Sequence, residues 1–179
     1  MHIKARKMAF GGLFLALTIV CMALSSIIET NTLFLLAAAS YFVGIIIREM
    51  GLRTGTAFYL AAVLLGFITA PNKFYVVSFA AMGFYILAGE AAWNALGRLS
   101  GKVNRKVLLW IMKYSIFNIL YIPAVLLFEQ LLFDRSLSPL WTAGVIAAGQ
   151  PALWIYDMAY GYVQNHIWNK LRGRLIYGK

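Results

Sequence analysis

Residues 55–96, GTAFYLAAVLLGFITAPNKFYVVSFAAMGFYILAGEAAWNAL, hold two long apolar runs with only Pro71, Asn72 and Lys73 between them. A helix of roughly 20 apolar residues crosses a hydrocarbon core of about 30 Å. The stretch therefore reads as two membrane-crossing helices joined by a tight turn. The same alternation of apolar runs and short polar breaks recurs along the whole chain. Its 179 residues are 62% hydrophobic and 12% charged, with a mean hydropathy of +0.77, whereas soluble domains are about half apolar and a quarter charged. The expected class is an all-α integral membrane protein, and no separate soluble domain fits in the remainder.

Taking the polar breaks as helix ends gives six spans, at 8–28, 32–47, 55–70, 74–96, 107–132 and 139–166. They form one transmembrane domain over 1–179, with a basic tail at 166–179. The second and third spans are short, which suits helices that are steep or partly buried in the bundle. An even number of spans puts Lys4, Arg6, Lys7, Arg48, Arg53, Arg98, Lys102, Arg105, Lys106, Lys113 and the four tail cations on one side. That is fourteen of the sixteen cations, with Lys73 and Arg135 opposite. By the positive-inside rule both termini are expected in the cytoplasm, and Lys73 outside. In the tail, Ile167, Trp168, Leu171 and Leu175 recur at near-helical spacing among cations, the pattern of a segment lying on anionic lipid headgroups at the cytoplasmic interface.

The net charge of +10 does not indicate nucleic acid, because the cations sit at the ends of apolar runs rather than on one face of a soluble fold. Cys21 is the single cysteine and lies inside an apolar run, so it has no disulfide partner in the chain. The basic-then-apolar N-terminus resembles a signal peptide, but five further apolar segments favour an uncleaved first span, and Val20 is too large for lipoprotein processing before Cys21. His2 and His166 are remote from each other, with no carboxylate at ligand spacing, so neither metal nor cofactor is expected.

Charges within a span are costly and need a partner or a role. Glu90, Lys113 and Asp157 fall at similar depths in the cytoplasmic halves of spans four, five and six. They are expected to form a structural ion-pair cluster that sets how those spans pack. The sharper alternative, a proton or ion relay, lacks a fourth titratable group leading outward. A second polar set lies in the outer half. Asn31 follows span one, Asn72, Lys73 and Tyr75 form the turn between spans three and four, Glu129 closes span five, and Trp141 opens span six. Pro123 is placed to kink span five. Asn118, Tyr121, Gln150 and Trp154 then make the expected floor of an outward cavity for a small, flat, partly polar ligand. Lys73 is either its electrostatic attractor or one half of an ion pair with Glu29 or Glu129.

Ala5, Ala9, Gly12, Ala16 and Ala23 share one face of span one, a smooth surface on which another helix can approach closely. It serves either internal packing or a partner. Gly144, Ala148 and Ala152 make a similar stripe on span six, expected to pack inside the bundle. No P-loop, H-E-x-x-H or G-x-S-x-G pattern occurs, so no ATPase, metalloprotease or serine-hydrolase chemistry of those kinds is expected. The chain is also small for a self-sufficient secondary transporter.

A compact six-span chain with both termini inside, a small-residue first helix and no engine of its own resembles the substrate-binding S component of energy-coupling factor transporters. In that family an Ala-x-x-x-Ala stripe on the first helix contacts a shared coupling subunit. Ala5-x-x-x-Ala9 and Gly12-x-x-x-Ala16 stand in the corresponding region, the second pair departing by a glycine. The resemblance implies a non-enzymatic subunit that captures a vitamin or similar micronutrient outside and docks on a transmembrane coupling subunit driven by two cytoplasmic ATPases. Its ligand would lie between the outer loops and the last three helices. The rival readings are a non-transporting scaffold of the kind seen in proteins resembling the cell-shape protein MreD, and a membrane-embedded lipid-handling enzyme using an acid such as Asp157.

Overall fold

The computed structural model describes residues 2–97, 104–127 and 138–175. Six long helices follow one another: α1 (His2–Ser25), α2 (Thr32–Met50), α3 (Leu52–Thr69), α4 (Lys73–Gly97), α5 (Arg105–Leu127) and α6 (Pro139–Tyr162). A π-helical turn, Val163–Trp168, carries α6 into a short α7 (Asn169–Leu175). Among the described residues five helices, α1 to α5, are long and apolar enough to cross a membrane. α6 is 24 residues long but is not among them, because Gln150, Pro151, Asp157 and three tyrosines dilute its apolar character.

Local chemistry sets the two tightest turns. Gly51 alone separates α2 from α3, at φ +88°, a conformation that L side chains rarely adopt. Its N–H donates to Ile47 O at 2.8 Å, closing α2, and its own carbonyl accepts from Gly55 N at 3.0 Å, opening α3. At the other end of α3, Pro71 prevents helix continuation, and Asn72 Oδ1 accepts from Phe74 N at 2.9 Å to start α4. These turns mark opposite ends of the bundle, here the Gly51 end and the Pro71 end. α5 runs on through Pro123 and α6 through Pro151.

α2 is the central helix, packed against α1, α3 and α4, while α5 and α6 close the other side. The core on its first face holds Met22, Leu36, Val43, Ile46, Ala62 and Phe79, all essentially inaccessible. On its second face Tyr41 joins Tyr85, Ile86, Leu153 and Tyr160. Gly44 makes that second contact possible, because a Cβ there would fall inside the ring of Tyr160. Gly149 of α6 likewise gives way to the ring of Tyr121 on α5.

Several expectations are corrected here. The second and third spans are 19 and 18 residues rather than sixteen, since the helix continues through Arg48 and Glu49, whose charges find partners within the fold. α2 is deeply buried, but α3 is not, and Leu60, Leu64, Leu65, Phe67 and Ile68 face outward. The stripe Gly144, Ala148 and Ala152 is exposed and does not pack inside the bundle. α6 instead turns Gly149, Leu153 and Tyr160 inward. Trp168 does not lie on the surface. It is 4% exposed, seated against Phe10 and Phe14 with ring centroids at 5.2 and 5.8 Å. Its Nε1 donates to Glu49 Oε1 at 2.9 Å. Arg172 reaches the same oxygen at 3.8 Å, and Lys7 Nζ donates to Glu49 O at 3.1 Å. Glu49 thus ties both ends of the chain to α2.

On α1, Phe10, Phe14, Cys21 and Met22 are buried, whereas Ala5, Ala9, Gly12 and Ala16 are exposed. A Cβ on Gly12 would meet nothing within 4 Å. The small-residue face of α1 therefore points out of the bundle, which the sequence left open.

Candidate functional site

Besides Glu49 and Arg172, charges within the described helices form two ion pairs near the Gly51 end. Arg48, in the last turn of α2, donates from Nε and Nη2 to Glu90 Oε1 at 2.9 and 2.7 Å, and Tyr160 OH donates to the same oxygen at 2.6 Å. Lys113 Nζ donates to Asp157 Oδ1 at 2.6 Å, joined by Tyr85 OH at 3.0 Å. The expected trio of Glu90, Lys113 and Asp157 is thus a quartet with Arg48, and it links α2, α4, α5 and α6. Arg48 is read from sequence as a loop cation, but Gly51 ends the helix late enough to hold it one turn inside.

Aromatic rings support both pairs. The Arg48 guanidinium lies 5.4 Å from the Tyr160 ring centroid, and Lys113 Nζ lies 5.5 Å from that of Trp110, distances at which a cation is attracted to the ring face. Tyr41 packs 5.2 Å from Tyr156 and 5.5 Å from Tyr160, and Tyr85 lies 5.8 Å from Tyr156. Tyr156 OH is 2.7 Å from Ser40 Oγ. Tyr41 OH donates to Tyr156 O at 2.9 Å. Sequence reasoning passed over these tyrosines. The signal was present in Tyr156 and Asp157, with Tyr160 one turn further along α6, and in Gly44 as the small residue that admits a ring from the facing helix.

Two cavities adjoin the quartet. One of about 200 Å³ is lined by both pairs together with Tyr85 and Trp93. A larger one, about 650 Å³, shares Arg48, Glu90 and Trp93 with it and extends past Asn94 and Asn165 at the Gly51 turn. A third, open groove of about 610 Å³ follows α5 past Lys106, Trp110, Tyr114 and Asn118.

The outer polar set is distributed over three places. Asn118 and Gln150 exchange amide hydrogen bonds at 3.3 and 2.9 Å, and Tyr121 OH donates to Val145 O at 2.9 Å, so these three residues form the α5–α6 seam. Trp154 and Trp141 stand outward, 49% and 67% exposed. Asn72 starts α4, and Lys73 Nζ donates to Phe67 O and Ala70 O at 2.6 and 2.8 Å. Lys73 therefore holds the C-terminal carbonyls of α3, where a cation is favoured by the helix dipole. Tyr75 packs at the edge of the first core, and Asn31 is exposed in the 3₁₀ turn before α2. Glu129 lies outside the described residues. Among the described residues no group of three His, Cys, Asp or Glu side chains converges in a way that would hold a metal ion.

In comparison with known proteins, no family model matches the chain, and neither a curated protein nor a solved structure matches it. The class is therefore defined by its own architecture. This is a compact, multi-span α-helical membrane protein with a paired-charge site between four of its helices.

Proposed function

We propose that the chain is the membrane-embedded substrate-capture subunit of an ATP-driven micronutrient importer, with six spans and both termini cytoplasmic. The observation that carries this reading is the outward-facing stripe of Ala5, Ala9, Gly12 and Ala16 on α1. A stripe of small side chains, here flanked by the exposed Met8 and Leu13, lets a partner helix approach closely, and it stands where the S components it resembles meet their coupling subunit. Two cytoplasmic ATPases would supply the energy. The ligand is a small vitamin-like molecule bound on the extracellular side, between the Pro71 turn and the α5–α6 seam. Lys73 retains one ammonium N–H beyond the two that hold α3, which suits a ligand carrying an anionic group.

The test is native mass spectrometry of the protein purified in mild detergent from its own host. A vitamin-sized molecule is expected to remain bound. Lys73→Ala is expected to reduce its retention if the ligand is anionic. Detection of detergent and lipid alone, across nutrient-limited and nutrient-rich growth, would contradict the reading and favour a scaffold.

A further inference from the structure

The two ion pairs are only half used. Nε and Nη2 of Arg48 and the hydroxyl of Tyr160 converge on Glu90 Oε1, and both donors to Asp157 converge on Oδ1. Among the described residues, no donor reaches Glu90 Oε2 or Asp157 Oδ2. Among the described residues the buried side-chain polar atoms without a partner are Ser26 Oγ and the amide atoms of Gln164, so neither carboxylate oxygen is sealed in the protein. Both Glu90 and Asp157 line the 200 Å³ cavity, and Glu90 also lines the larger one.

The cavity has direction. Asp157, Lys113 and Glu90 are its covered members, their side chains 11%, 15% and 10% exposed. Arg48 is 39% exposed and lies where the small cavity joins the larger one, beside Asn94 and Asn165. A carboxylate with a free lone-pair edge takes N–H donors, whereas an exposed guanidinium with an unused nitrogen takes an anion. The protein charges at the site cancel, so a molecule of net charge would add an uncompensated charge within the helices. A zwitterion would not.

We propose that this cavity binds a small zwitterion with a primary ammonium. The ammonium is held between Glu90 Oε2 and Asp157 Oδ2, and the anionic group lies at Arg48 in the outer cavity. The site lies near the Gly51 end, about 25 Å from Lys73 along α4, and does not depend on the importer reading. A free amino-acid-like solute and the headgroup of an ethanolamine phospholipid both carry this chemistry.

The test contrasts two net-neutral zwitterions that differ in methylation of the nitrogen, and so in N–H donors and in bulk. Glycerophosphoethanolamine and glycerophosphocholine are titrated calorimetrically into the full chain in a maltoside detergent. Glycerophosphoethanolamine is expected to bind at least about tenfold more tightly, the worth of a charged hydrogen bond. Asp157→Asn and Glu90→Gln, which keep side-chain shape, should each erase that preference. If a variant does not fold, the wild-type contrast still decides. Nanodiscs with equal ethanolamine and choline phospholipid identify the source. Ethanolamine lipid enriched on the protein assigns a lipid headgroup, while soluble binding without enrichment assigns a free solute. Equal affinity for the two probes, or no glycerophosphoethanolamine binding together with no lipid enrichment, would overturn the proposal.

Discussion

Lys113→Met is expected to destabilise the protein by about 3–5 kcal/mol, the usual cost of removing one partner from a buried ion pair. Lys113 and Asp157 are bonded at 2.6 Å with both side chains largely covered. Without the ammonium, the Asp157 carboxylate keeps only the Tyr85 hydroxyl as a donor. Adding Asp157→Leu should recover much of the loss, because the double variant strands no charge, although the Tyr85 hydroxyl then loses its acceptor. The check is the thermal unfolding midpoint in detergent for the wild type, the single variant and the double variant. Unchanged stability in Lys113→Met would mean that the pair is not structural. Glu90 offers a useful contrast, since its partner Arg48 is partly exposed and can turn toward solvent when the carboxylate is removed.

The second large effect is expected at Trp168. Trp168→Ala should cost about 3–5 kcal/mol, as for other buried aromatic truncations. The indole fills the space between Phe10, Phe14 and Glu49. The loss should also be local. Amide exchange should accelerate in residues 163–175 and in the first turns of α1 more than in α4. Trp168→Phe should lose about 1 kcal/mol, since it keeps most of the packing and gives up one hydrogen bond. If Trp168→Ala leaves both stability and exchange unchanged, the tail is not anchored through this ring.

Much of this fold is legible in the sequence because a membrane-crossing helix needs an uninterrupted apolar run. The helices α1 to α4 begin and end within a few residues of the expected positions except at the charged ends. There the reasoning that charge marks a helix end fails for Arg48 and Glu49. Both remain helical because Gly51 supplies the break and because Glu90 and Trp168 supply partners from helices remote in sequence. Such partners are set by packing, which hydropathy does not encode. The depths of Glu90, Lys113 and Asp157 were readable by counting along each helix, but their pairing was not, because it depends on rotation about each helix axis. The two small-residue stripes show the same limit. Periodicity groups Ala5, Ala9, Gly12 and Ala16 on one face, and Gly144, Ala148 and Ala152 on another, without saying which way either face points. Both face outward, while Gly44 and Gly149, outside either stripe, are where rings of facing helices press against backbone.

The claim that α1 presents a docking face for an importer's coupling subunit is tested most directly by affinity purification from the native host in mild detergent, with mass spectrometry of the proteins retained. The expected result is a transmembrane coupling subunit with two ATPases, lost when Ala9 and Gly12 are replaced by leucine. Recovery of envelope-assembly or lipid-handling proteins with no ATPase, or of the same ATPases from the leucine variant, would contradict it.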